Sequence, residues 1–214
     1  MQARTKHDDD WVNFVVTAGI LFHMPSATHS RHSGHFHSVR FYKDDDSLCR
    51  LVGSFLVEGL TKAEPAIVIA TPDHTTAIEQ CLTKASLDVA ELKRLGELTT
   101  LDARHMLATF MADGVPDPGA FRHNIGGVIR QVGRGRGNCA IRAYGEMVDL
   151  LWKDGMTAAA IRVETLWNEL AQVHDFQLLC GYSMGNFYKG SAFDDIKGQH
   201  SHLTSDVGDH VPLH

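Results

Sequence analysis

"PAIVIATP" (Pro65–Pro72) is an unbroken apolar run of strand length closed at each end by proline. It lacks the alternation of a strand wetted on one face, so it reads as a strand buried on both faces, the signature of a parallel sheet. Asp73 follows as a candidate helix cap, with Ala77, Ile78, Cys81 and Leu82 at helical spacing. Upstream, "HSVRFY" (His37–Tyr42) alternates Val39 and Phe41 with polar residues. "DDDS" then opens a helix over Leu48, Leu51, Val52, Phe55, Leu56 and Leu60 that ends near Thr61 to Glu64.

Downstream the alternation continues. "LTTLDA" (Leu98–Ala103) predicts a third strand and His105 to Ala112 a short helix. Pro116 to Pro118 open a helix carrying Phe121, Ile125, Val128, Ile129 and Val132 on one face. "NCAIRAYG" predicts a fourth strand, Thr157 to His174 the most periodic helix, and "FQLLCGYSM" (Phe176–Met184) a fifth strand. Strands separated by helices imply an α/β fold, a mostly parallel sheet with helices on both faces. A chain of 214 residues, 43% hydrophobic, supports one such core. The expected organisation is an arm at residues 1–34, a domain at 35–190 and a flexible tail at 191–214, poor in large apolar residues.

Composition narrows the function. A formal net charge of -6 argues against a general nucleic-acid binder. Arg130, Arg134, Arg136 and Arg142 make a local basic patch, read as a solvated helix end and loop. Cys49, Cys81, Cys139 and Cys180 are scattered, which fits reduced thiols in a cytoplasmic protein. "WVNFVVTAGILFHM" (Trp11–Met24) is apolar but too short to span a bilayer, and Asp8 to Asp10 precede it where a signal peptide carries positive charge. No membrane association is expected. Histidines His29, His32, His35, His37, His200 and His202 lack the tight mixed spacing of a zinc site, so no metal and no cofactor are assigned.

In an open parallel sheet, ligands bind beyond the carboxyl ends of the strands. Lys43 to Ser47, Thr71 to Asp73 and Glu146 therefore fall on the binding edge. A phosphate loop there needs glycines and a lysine. "YKDDDS" offers three carboxylates that repel phosphate, and "GRGRG" (Gly133–Gly137) reads as a turn. The scaffold resembles that of a nucleotide hydrolase without its phosphate grip. Glu146 sits at a strand mouth among Met147, Val148, Leu150, Leu151 and Trp152. Glu164 and Asn168 share a helix stripe beside Ile161 and Trp167. The two glutamates meeting near Tyr42, Trp152 and Trp167 would make an apolar pocket with converging polar groups. Two other readings stay open: Glu146 paired with Arg142 or Arg162 over a core of tryptophans, and acid/base catalysis by the two carboxylates.

"HSVRFYKDDDSL", "EPAIVIATPDH", "IRAYGEMVDLLW" and "IRVETLWNEL…FQLLCGYSM" together resemble the MEDS domain, the methanogen/methylotroph and DcmR sensory domain, from about His35 to Met184. The resemblance implies a RecA/KaiC-like P-loop NTPase-type fold lacking a Walker A motif, and a role in sensing small organic ligands, often one-carbon or hydrocarbon-derived, in bacterial signalling or transcription control. Its motif positions are His37, Phe41, Tyr42, Asp44, Asp45, Gly145, Glu146, Met147, Trp152, Glu164, Trp167 and Asn168. Of these, His37, Phe41, Tyr42, Asp45, Glu146, Trp152, Glu164, Trp167 and Asn168 are expected to bind ligand. The family's usual attachments are histidine kinases, helix-turn-helix regulators and anti-sigma modules. No kinase motif, and no helix-turn-helix in the first 35 residues, is visible, so the expected partners are a separate kinase, anti-sigma or other regulator, or a second copy in a homodimer. The competing expectations are a divergent KaiC-like nucleotide hydrolase using Glu146 to position water, and a ligand-free interaction module.

Overall fold

The computed structural model describes residues 37–137, 139–183 and, as backbone, 202–205; the expected arm at 1–34 lies outside them. Five parallel strands form the centre: β1 (His37–Tyr42), β2 (Ala66–Ala70), β3 (Leu98–Asp102), β6 (Ile141–Gly145) and β7 (Phe176–Ser183). Two-residue strands β4 (Met111–Ala112) and β5 (Val115–Pro116) form a separate hairpin. Strand β8 (His202–Ser205) pairs parallel with β1, so the segment expected to be a flexible tail contributes a sixth sheet strand. The order is β3-β2-β6-β7-β1-β8.

Helices α1 (Asp45–Leu60), α2 (Pro72–Lys84) and α3 (Val89–Arg94) cover one face. Helices α4 (Ala103–Ala108), α5 (Pro118–Gly133), α6 (Met147–Lys153) and α7 (Thr157–Ala171) cover the other. Connections stepping towards β3 carry their helices on the first face and those stepping back carry theirs on the second, as crossovers of one hand require. Strand alternation divides the core accordingly. In β2, Ile67 and Ile69 join the α4–α7 side, and Ala66, Val68 and Ala70 the α1–α3 side. Strands β2 and β6 are buried along their whole length, as the proline-bounded run predicts.

Local chemistry sets the ends. Asp44 caps α1 through Ser47 N–H at 2.8 Å, while Ser47 Oγ accepts from Asp44 N–H at 3.1 Å, a reciprocal capping box. Helix α2 begins one residue before the expected Asp73 cap: Thr71 is its N-cap and Pro72, with φ already helical, its first residue. The helix expected over His105 to Ala112 stops at Ala108, and Met111–Ala112 enters the hairpin. Asp113 and Gly114 turn it with φ of 50° and 78°, the left-handed pair that a tight two-residue turn demands. Gly135 and Gly137 also take positive φ, so "GRGRG" is a turn. The four arginines of the expected basic patch do not act together: Arg142 is buried, and Arg136 reaches the Leu95 and Gly96 carbonyls. Among the described residues no helix is long and apolar enough to cross a membrane.

Candidate functional site

Strands β2 and β6 are neighbours whose chains leave in opposite directions, β2 towards β3 and β6 towards β7. Their carboxyl ends therefore flank the topological switch point, where a crevice forms in an open α/β sheet. Glu146 stands there. Its backbone N–H continues the ladder to the Ile69 carbonyl at 3.1 Å, and its side chain turns into the molecule with 1% of the residue exposed.

Among the described residues three donors hold that carboxylate. Thr71 N–H donates to Oε1; His74 Nδ1 lies 2.5 Å from Oε2, and the Tyr144 hydroxyl 3.4 Å from the same oxygen. His74 Nε2 is 3.3 Å from Asp45 Oδ1. Asp45, His74 and Glu146 thus form a line from solvent inward, with side chains 79%, 14% and 2% exposed. The hydrogen bond His74 donates to Glu146, and the charge of that carboxylate, raise the His74 pKa above the ordinary 6.5 against the opposing effect of burial. Because the folded value is raised, the stabilisation from protonated His74 is fully present below the unfolded pKa and is lost as pH rises through the folded one. A wild-type stability advantage of about 1–2 kcal/mol over His74→Gln is expected at roughly pH 6 and should shrink towards pH 9. Urea melts of both proteins across that range check it, and a difference independent of pH would refute the charged pair.

Beside this line lies Asp149, also buried. Tyr42 Oη donates to its Oδ2 at 2.8 Å, Ser183 N–H to Oδ1 at 3.0 Å, and Lys153 Nζ sits 2.8 Å from Oδ2. Burial and the Asp149 charge push the Tyr42 phenol far above its ordinary pKa, so it stays a donor. Two helix starts on this edge are thus satisfied by the protein's own carboxylates, Asp44 at α1 and Glu146 at Thr71. An incoming phosphate meets negative charge where a phosphate loop would offer free N–H groups.

Glu164 lies elsewhere. It is the eighth of the fifteen residues of α7, about 10 Å from either helix end, so it faces the middle of the sheet rather than its edge. Its Oε1 accepts from Tyr182 Oη at 2.7 Å, and its Oε2 lies 3.2 Å from His37 Nε2 and 3.6 Å from Cys180 Sγ. His37 Nδ1 is 2.7 Å from Asn168 Oδ1. Burial, with Glu164 alongside, holds the Cys180 thiol and the Tyr182 phenol protonated well above their ordinary values.

The expected site therefore divides. Tyr42, Asp45 and Glu146 share the switch-point edge, while His37, Glu164 and Asn168 share a hydrogen-bonded cluster against β1 and β7. The two glutamates have separate hydrogen-bond partners among the described residues, which corrects the expectation that they meet. Phe41 and Trp152 each lie 6.1 Å from the Tyr182 ring, and Trp167 packs between Phe121 and Phe176 at 5.4 and 5.8 Å. Among the described residues neither expected arginine holds Glu146: Arg142 bonds Glu64 and Glu58, and Arg162 reaches Glu169. His74, Asp149, Cys180 and Tyr182 are the members that sequence reasoning missed. His74 is two residues past Pro72 on the predicted edge, and Asp149 is one helical turn after Glu146; those spacings were the available signals.

The structure is an α/β domain on a parallel sheet whose switch point is lined by acidic side chains and whose nearby helix starts are met by its own carboxylates. The chain matches the sequence model of the MEDS domain, the methanogen/methylotroph, DcmR sensory domain, over residues 36–200. It belongs to that family, and its role is sensory or regulatory. No curated protein matches the chain.

Proposed function

We propose that the domain binds a small organic ligand in the crevice between the ends of β2 and β6, with Glu146 as its polar anchor. The observation that carries this reading is a buried carboxylate at the switch point, oriented by a backbone N–H and an imidazole. With Asp45 and Asp149 nearby, the edge favours a ligand bearing a cationic or hydrogen-bond-donating group on a small apolar body, of one-carbon or hydrocarbon origin. Trp152 and Tyr42 supply apolar contact. The domain acts by binding rather than turnover, and binding shifts its association with a kinase, an anti-sigma protein or a second copy of itself. That shift is limited to the ligand's difference in affinity between the two states.

A thermal-shift screen with small alcohols, methylated amines and halogenated methanes tests the reading. A ligand at 100 times its Kd stabilises by about 2.7 kcal/mol, so a hit raises the wild-type Tm by several degrees and leaves Glu146→Gln unmoved. Equal shifts in both proteins, or none across the panel, would overturn it.

A further inference from the structure

We infer that His37, Glu164 and Cys180 form a binding site for a divalent transition metal of the zinc class, buried beneath β1 and β7. The three candidate donor atoms are separated by 3.2 Å (His37 Nε2 to Glu164 Oε2), 3.3 Å (His37 Nε2 to Cys180 Sγ) and 3.6 Å (Cys180 Sγ to Glu164 Oε2). Zinc bonds of about 2.0–2.2 Å to nitrogen and oxygen and about 2.3 Å to sulfur, spread tetrahedrally, require donor separations of roughly 3.3–3.6 Å. The observed triangle has the dimensions of one face of that tetrahedron.

The surroundings orient each donor as metal sites do. Asn168 Oδ1 lies 2.7 Å from His37 Nδ1, so an Nδ1–H donated there leaves the Nε2 lone pair facing Glu164 and Cys180. Tyr182 Oη engages Glu164 Oε1, the oxygen turned away from the triangle, and leaves Oε2 directed into it. In that tautomer imidazole Nε2, carboxylate Oε2 and the Cys180 sulfur each turn a lone pair towards the same point, at mutual separations of 3.2, 3.3 and 3.6 Å. A divalent cation receives all three lone pairs, and with the thiolate and carboxylate it leaves no net charge in a region where an uncompensated charge is costly. One nitrogen, one oxygen and one sulfur donor suit Zn²⁺, Co²⁺ or Fe²⁺ better than Mg²⁺ or Ca²⁺, which take oxygen ligands. Three side-chain ligands among the described residues is the count of open sites that keep a corner for water or an exogenous donor.

The inference is independent of the switch-point reading, since it uses none of Glu146, His74 or Asp149. The test is anaerobic titration of the reduced, metal-stripped full chain with Co²⁺. The expected result is a near-ultraviolet thiolate-to-cobalt charge-transfer band that saturates at one equivalent and is displaced by Zn²⁺. That band reports sulfur ligation, so the other histidines of the chain cannot produce it. It should be lost in Cys180→Ser and His37→Gln, kept in Cys49→Ser and Cys81→Ser, and weakened about 10- to 100-fold in affinity in Asn168→Ala. Circular dichroism verifies that each variant is folded. If Cys180→Ser does not fold, the wild-type titration and Asn168→Ala still decide. Absence of the band in folded wild-type protein, or its persistence in folded Cys180→Ser, would overturn the assignment and leave a proton shared by His37 and Glu164 as the occupant of the triangle.

Discussion

Gly59→Ala is expected to destabilise the protein by about 2–4 kcal/mol, although helix propensity alone predicts a gain. Within a helix, alanine is favoured over glycine by about 1 kcal/mol, and Gly59 lies in the last turn of α1. A Cβ built there falls 2.3 Å from Arg142 Cγ, 3.0 Å from its Nε and 3.1 Å from its Cδ. The contact is with the root of the arginine side chain, which is fixed at its other end. Arg142 Nε donates to Glu64 at 2.7 Å, Nη2 reaches Glu58 at 3.3 Å, and the guanidinium lies 5.0 Å from the Phe55 ring centre. Making room means lifting α1 from β6 or dislodging a buried cation from its carboxylates. Overpacking costs about 1–3 kcal/mol and disruption of a buried pair about 3–5 when a partner is lost outright. These outweigh the propensity gain. Urea denaturation should show a lower midpoint at an unchanged slope. In an Arg142→Ala background the same glycine change should cost almost nothing, a coupling energy of about 2 kcal/mol or more. Gly59→Ala at or above wild-type stability would show that the arginine stem is free to move.

This contact also marks the limit of what the sequence makes legible. The strands and their covering helices are visible because period-2 and 3.6-residue patterns are local, and the location of Glu146 follows from the rule that loops after parallel strands form the binding edge. Partners far apart in sequence depend on strand order, which no local pattern encodes. His37 meets Cys180 only because β1 pairs with β7, and Thr71 meets Glu146 only because β2 pairs with β6. The Asp113-Gly114 pair is a turn signal, but Met106, Leu107, Phe110 and Met111 before it repeat at helical spacing and extend the apparent helix over it. Helices α3 and α6, of six and seven residues, are too short for a helical period to stand out. The separation of the two glutamates turns on the depth of Glu164 within α7. Glu164 and Asn168 do share a stripe, both reaching His37, but a stripe fixes a face and not a height along the sheet.

The same distinction between face and depth makes Trp167→Ala the second large effect, a loss of about 3–5 kcal/mol. Trp167 was expected to bind ligand, and its helical spacing with Val163 and Leu170 fits a core position equally well. Only 2% of it is exposed, and its ring meets Phe121 edge-on and Phe176 at a tilt, so truncation opens a cavity where α5, α7 and β7 join. In a domain of this size that loss corresponds to a fall of roughly 10 °C in Tm. Trp152, half-buried with its ring edge-on to Tyr182, should cost about 1–2 kcal/mol when truncated, because less apolar area returns to water. The tryptophan also touches function indirectly. A Cβ placed on Gly145 would lie 3.8 Å from Trp167 Cζ2, so the indole supports the residue that immediately precedes Glu146. Emptying that space loosens the strand end on which the carboxylate is held. Trp167→Ala should therefore weaken any response anchored on Glu146, while Trp167→Phe, which keeps an aromatic ring under Gly145, restores much of it. Calorimetry of the three variants decides the matter: a folded Trp167→Ala that loses less than about 1 kcal/mol would mean the indole is not a structural support, and its place among the ligand contacts would have to be restored.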